Sequence, residues 1–100
     1  MMTDKLRLDK WLWFARFVKS RTLAAKLVGD GFVRVNGRRV DNPAKGVAVG
    51  DVITVAVART TAVVRVEALG ERRGPAPEAR RLYSELGRDD AALVTAPARG

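Results

Sequence analysis

The dipeptide Asn36-Gly37 is the tightest constraint in this 100-residue chain. A type I′ turn needs positive φ at both central residues, and Asn followed by Gly tolerates that best. Phe32-Val33-Arg34-Val35 precedes it and Arg38-Arg39-Val40 follows. Both flanks are suited to a pleated, half-buried surface, so a two-residue β-hairpin is predicted here.

The segments around that hairpin are read by period and punctuation. Leu8, Trp11, Leu12 and Ala15 recur at helical spacing, and Asp9 lies where a carboxylate complements the helix dipole; this predicts a helix from Asp9 to Phe17. Ser20 takes the N-cap position of a second helix, in which Leu23, Leu27, Ala24 and Ala25 make a packing face and which Gly29 and Gly31 end. Asp41 to Gly46 is a loop around Pro43, and Gly50-Asp51 is a turn. Val52 to Val57 and Ala62 to Leu69 are β-branched runs, separated by Ala58 to Thr61. The fold class that follows is α+β, with two helices packed on a small, mainly antiparallel sheet.

After Gly70 the run Glu71-Arg72-Arg73-Gly74-Pro75-Ala76-Pro77 reads as a connector. Ala79, Leu82, Tyr83 and Leu86 then return to helical spacing, with Pro77 near the start and Gly87 just past the end, which predicts an additional C-terminal helix. The expected organisation is a mobile lead-in over 1–5, one domain over 6–69, a connector and peripheral helix over 70–87, and a disordered tail over 88–100.

With 47% hydrophobic and 30% charged residues, the chain has the composition of one globular domain. Its apolar stretches fall short of the roughly 20 residues of a membrane span. Met1 to Lys10 lacks the apolar core of a secretory signal, so the expected compartment is the cytoplasm. Cysteine and histidine are both absent. That removes thiolate nucleophiles, imidazole acid-base chemistry and Cys/His zinc sites, and neither a cofactor, a metal, a small-molecule substrate nor a catalytic residue is expected. The net charge of +8 is unevenly placed: residues 1–45 hold 11 basic and 4 acidic side chains, residues 46–100 hold 8 and 7. A field concentrated on one part of a small domain attracts a polyanion.

The basic residues of the first half alternate with apolar core positions, which puts them on a folded surface. The candidate polyanion-binding set is Arg7, Lys10, Arg16, Lys19, Ser20, Arg21, Lys26, Arg34, Asn36, Arg38 and Arg39. Ser20 and Arg21 begin the second helix, where free N–H groups and the dipole favour a phosphate and a guanidinium adds bidentate recognition. Arg38 and Arg39 point to opposite faces of a short strand, so one of them shares a surface with Arg34. Lys5 and Lys45 complete the basic run.

Arg7-Leu8-Asp9-Lys10, Ser20-Arg21 followed by Ala24 or Ala25, Gly31-Phe32-Val33-Arg34-Val35-Asn36-Gly37, and then Val47 with Gly50-Asp51 and Ile53 resemble, in order and spacing, the S4 RNA-binding domain. The resemblance covers about half the chain. It implies two helices against a small sheet, the alpha-L RNA-binding motif, with an RNA surface formed by the second helix and the hairpin. Lys10-Trp11-Leu12-Trp13 with Ala15-Arg16-Phe17, and Arg72-Arg73-Gly74-Pro75-Ala76 with Glu78-Ala79 and Leu82-Tyr83, resemble the bacterial fifteen-kilodalton heat-shock, ribosome-associated branch of that group. That second resemblance implies binding to ribosomal RNA of the large subunit, in subunits still carrying a nascent chain on tRNA, and their return to the active pool. The alanine- and arginine-rich end after Gly87 departs from that branch.

Simpler readings bear on several of these residues. Trp11, Trp13, Phe14 and Phe17 fit a core better than base stacking. Asn36 serves the hairpin whatever the function, and Ser20 is an N-cap first. Arg72, Arg73, Arg80 and Arg81 lie among Glu71, Glu78 and Glu85 and are read as structural; Asp9, Asp30, Asp41 and Asp51 sit at caps and turns, where local hydrogen bonding explains them. The rival functions are a regulatory or assembly factor for another structured RNA, general nucleic-acid coating, and an enzyme. S4 domains are often appended to RNA-modifying enzymes, but this chain has little room for a catalytic domain. A monomer is expected in isolation.

Overall fold

Asn36 and Gly37 adopt φ of 52° and 84°, and the chain reverses between β2 (Val33–Val35) and β3 (Arg38–Arg39) in the predicted two-residue loop. This computed structural model describes residues 4–57 and 59–90. The other edge of β2 pairs with β5 (Val52–Val57), β5 with β6 (Thr60–Val66), and β6 with β7 (Tyr83–Asp90). Every neighbour is antiparallel, in the order β3-β2-β5-β6-β7. A separate short pairing joins β1 (Leu6–Arg7) to β4 (Gly46–Val47).

Alternation sorts the sheet into two faces. Val33, Val35, Ile53, Val55, Ala62, Val64 and Val66 form one core cluster with Leu8, Trp11, Leu12 and Phe14 of α1 (Leu8–Phe14) and Ala24 and Val28 of α2 (Arg21–Gly29). Trp11 is fully buried, and its Nε1–H donates to the Ala68 carbonyl at 3.0 Å, so its one polar atom is satisfied.

Both helices end in the same way. Arg16 N–H donates to Trp13 O at 3.1 Å and Phe17 N–H to Leu12 O at 3.0 Å; Gly31 N–H donates to Val28 O at 3.0 Å and Phe32 N–H to Leu27 O at 3.1 Å. These are two Schellman closures. The first stops α1 at Phe14 rather than at the expected Phe17, with Arg16 at φ 66°. The reversal brings Phe17 to 6.1 Å from Trp11 and 4.9 Å from Tyr83 between ring centroids, packing that offsets a left-handed arginine. In the second, Gly29 is an ordinary helical residue and Gly31, at φ 87°, makes the turn. At the other end of α2, Ser20 is extended and its Oγ accepts the Leu23 N–H at 3.1 Å, as an N-cap should.

The C-terminal part differs from expectation. The additional helix is present but short: α3 (Ala76–Ala79) and one 3-10 turn (Arg80–Leu82) precede a strand, where a helix reaching Leu86 was predicted. Residues 88–90, expected in the tail, close that strand; 91–100 lie outside the described residues. The helical spacing of Leu82, Tyr83 and Leu86 was real but outweighed. Without β7 the outer edge of β6 would present a row of unpaired N–H and C=O groups, whereas Ser84, Gly87, Asp89 and Asp90 are weak helix formers. Leu86 is the residue skipped at the bulge between Val63 and Val64, and it is exposed. The sixth strand also ends earlier than predicted, since Glu67 and Ala68 turn their N–H groups to Leu82 O at 2.8 and 3.2 Å.

The connector is pinned by its arginines. Arg73 donates to Trp13 O at 3.1 Å and Val18 O at 3.3 Å, supplying donors to carbonyls at and beyond the end of α1. Arg16 Nε returns a bond to Gly74 O at 2.6 Å. Arg72 holds Glu78 through two hydrogen bonds, of 3.1 and 2.7 Å.

Two outcomes are expected. Gly31→Ala should destabilise the domain by about 1 to 3 kcal/mol, because alanine is strained at this φ and its Cβ would meet the Arg39 guanidinium; the urea unfolding midpoint measures it. Glu78 should titrate below the ordinary carboxylate range, chiefly because Arg72 bonds its charged form and further through the charges of Arg72 and Arg81. Its contribution is therefore present above the unfolded pKa and lost as pH falls through the lower folded value. Carboxyl NMR titration of the Arg72→Ala variant should move Glu78 back up.

Candidate nucleic-acid interface

The first turn of α1 has an acid where a basic surface is being assembled. Asp9 is 3% exposed. The Arg7 guanidinium donates from Nε to its Oδ1 at 3.1 Å and from Nη2 to its Oδ2 at 3.0 Å, and Arg21 Nε stands 3.8 Å from the same Oδ2. Asp9 thus joins β1 to the first residue of α2. Its hydrogen bonds, and secondarily its charge, raise the pKa of Arg7 further, so that guanidinium stays charged. Both arginines keep about half their side-chain surface in water. The sequence reading had placed Asp9 with the caps and turns, but α1 has no side-chain cap bond. The legible signal was an acid two residues after Arg7 inside a basic stretch.

A second group gathers at the hairpin. Arg38, Arg39 and Lys45 line a concavity of about 480 Å³ with Val35, Asn36, Val40, Asp41 and Asn42. All three cations are exposed and none makes an ion pair among the described residues. Arg39 lies opposite Arg34 in the ladder, so it is Arg39 that shares the sheet's outer face with Arg34. Its guanidinium also packs on Gly31 at the end of α2. Lys45, counted in the basic run but not among the candidate contacts, connects the two groups. Its carbonyl accepts the Leu8 N–H at 2.8 Å, and Pro43 O accepts the Asp9 N–H at 3.1 Å. The loop that supplies Lys45 to the hairpin thus also closes the start of the helix that holds Asp9.

The remaining candidates are distributed unevenly. Lys19 is exposed next to the cap Ser20 and has no ion pair among the described residues. Lys26 is tied to Asp30 at 3.1 Å, and the Lys10 ammonium sits 5.6 Å from the Phe14 ring centroid. Arg16 is turned away to Gly74 and lines a different cleft, with Phe17, Val57 and Tyr83. Asn36 is engaged inside the fold: its Nδ2 donates to Asp51 at 3.2 Å and its Oδ1 accepts the Val52 N–H at 2.9 Å. Asp51 accepts the Ala48 N–H in turn at 2.9 Å. The hairpin tip and the turn before β5 are locked together by this pair. Trp11 and Phe14 are buried and Trp13 and Phe17 half-buried, as the core reading of the aromatics required.

No described helix is long and apolar enough to cross a membrane. The S4 domain family profile matches residues 6–53, the segment that contains both basic groups. Heat shock protein 15 of Escherichia coli strain K12 is 43% identical over 81 residues, which cover 81% of this chain and 60% of that protein. The small ribosomal subunit protein uS4 of Xanthobacter autotrophicus is 42% identical over 71 residues, 69% of this chain and 35% of that one. A solved structure, described as trimeric Vibrio cholerae heat shock protein 15, superposes with a TM-score of 0.77 at 40% identity, covering 92% of this chain and 88% of that one. The chain spans about 60% of the length of the curated heat shock protein 15 relatives it matches. Fold, motif order and identity agree, and the chain belongs to the heat shock protein 15 family of S4-domain proteins.

Proposed function

We propose that this chain is a non-catalytic module that grips structured RNA, that its ligand is ribosomal RNA of the large subunit, and that it acts in heat stress on subunits stalled with a nascent chain on tRNA. The observation that supports this reading best is the convergence of Arg38, Arg39 and Lys45, free of ion pairs among the described residues, on one concavity joined through the Lys45 loop to the arginine pair around Asp9. Cations without internal partners are available to phosphates. Kinship with heat shock protein 15 and with a ribosomal protein favours the ribosome as the source of that RNA.

The mechanism is equilibrium binding. Arginine and lysine side chains position the domain on phosphates, released counterions contribute much of the free energy, and fit to a folded RNA contributes selectivity. Contact with about five phosphates gives a slope of roughly −3.5 to −4.5 in log affinity against log salt. Replacing Arg21 by alanine should reduce that slope by about one; an unchanged slope would take Arg21 out of the interface.

Asp9 supplies a test whose sign separates geometry from net charge. Asp9→Asn raises the formal charge above +8, which on charge alone tightens binding to a polyanion. The structure's arginine pair depends on that carboxylate for its orientation. Binding to purified large-subunit ribosomal RNA should therefore weaken several-fold, with circular dichroism unchanged. Tighter binding would show that charge rather than placement governs the site.

The cellular role is tested by sucrose-gradient sedimentation of a lysate before and after heat stress. Enrichment on free large subunits after stress is expected; migration only at the top of the gradient at low salt would overturn the ribosomal reading. The free protein is proposed to be a monomer, whereas its Vibrio relative is described as trimeric, and light scattering of the purified chain distinguishes the two.

A further inference from the structure

Among the described residues four large hydrophobic side chains stand exposed: Leu23, Phe32, Val49 and Leu86. Val49 belongs to a turn and Leu86 to the bulge. Leu23 and Phe32, 47% and 53% exposed, instead meet across one cleft of about 270 Å³. Val18 and Leu27 are half-buried in its wall, and Lys26 and Asp30 complete its lining. The helix closure accounts for part of this, since a Schellman motif is commonly finished by an apolar contact between the residues at the positions of Leu27 and Phe32. It does not account for Leu23, a full turn earlier, or for leaving half of Phe32 in water. Neither residue belongs to the buried core cluster.

The chemistry around the cleft narrows its occupant. Val18 is followed by the exposed Lys19, which has no ion pair among the described residues, and the cap Ser20; Lys26 lines the cleft itself, paired with Asp30 at 3.1 Å. The cleft is therefore an apolar extension of the cationic surface. A ligand that fits both must carry a flat apolar face next to negative charge, as a nucleotide of unpaired RNA does. Bases splayed from loops and bulges stack on aromatic side chains while their phosphates meet lysine and arginine. Asp30, whose carboxylate accepts from the Lys26 ammonium at 3.1 Å, also lines the cleft.

We propose that the cleft formed by Leu23, Phe32, Val18 and Leu27 receives an unstacked base of the bound RNA, with Phe32 as the stacking surface. The proposal rests on the RNA-binding reading above and adds to it a preference that phosphate contacts alone do not give: RNA with an unpaired nucleotide over RNA without one.

Two RNA hairpins of equal phosphate count, one with a single bulged adenosine and one fully paired, serve as probes for the intact chain and its Phe32→Ser, Leu23→Ser and Phe32→Tyr variants. Both serine substitutions exchange exposed apolar surface for polar, so folding should persist, checked by circular dichroism. The bulged hairpin should bind the wild-type chain more tightly than the paired one. Phe32→Ser should lower the bulged hairpin's affinity by about five- to a hundredfold, leave the paired hairpin's affinity and the salt slope unchanged, and Phe32→Tyr should retain the preference. Equal affinity of wild-type and Phe32→Ser chains for the bulged hairpin would overturn the base cleft while leaving RNA binding intact. Failure of the wild-type chain to bind either hairpin or purified ribosomal RNA would instead overturn the RNA reading itself. A wild-type oligomer that Phe32→Ser converts to monomer, with RNA affinity unmoved, would assign the cleft to contact between copies and also overturn the proposal.

Discussion

The indole of Trp11 is the joint on which the rest of the molecule is hung. It is buried on α1, hydrogen-bonded to the carbonyl of Ala68 beyond the end of β6, and packed near Phe17 and Tyr83, whose rings also meet each other. Those partners come from three parts of the chain, so one side chain fixes the helix to the sheet, the reversal after α1 to the helix, and the start of the last strand to both. Placing α1 also places Asp9, two residues before Trp11, and through Asp9 the two arginines of the candidate interface. The interface thus inherits its geometry from the core rather than from the mobility of long basic side chains.

Much of this was legible in the sequence because the determining interactions are local. Asn36-Gly37 specifies its hairpin within four residues, and Ser20 caps its helix within three. The early stop of α1 was not legible, because no glycine marks Arg16 as the left-handed residue; the reason for it lies in Phe17 meeting Tyr83, 66 positions away in sequence. The last strand failed for the same reason. Its helical spacing is a property of its own residues, but its state is decided by the open edge of β6.

The candidate site shows the same division. Charge asymmetry and motif order pointed to the half of the chain that the S4 profile matches, and strand alternation reduced the choice of which arginine shares a face with Arg34 to Arg38 or Arg39 without deciding it. Register decided it, by setting Arg39 against Arg34. What sequence could not rank was engagement. Arg16, Lys26 and Asn36 have the types the basic surface called for, yet each is bonded to a neighbour within the fold, whereas Lys45 makes no ion pair among the described residues and stands on a shared wall.

The two-residue strand that carries Arg38 and Arg39 is also the outer edge of the sheet. An open edge is a template on which further strands can add, and short length and positive charge are two of the ways natural sheets prevent it. Here both occur in the residues that line the hairpin concavity. The two positions proposed to meet RNA therefore also guard this edge, and a hairpin stripped of its arginines would lose that safeguard against fibrous assembly.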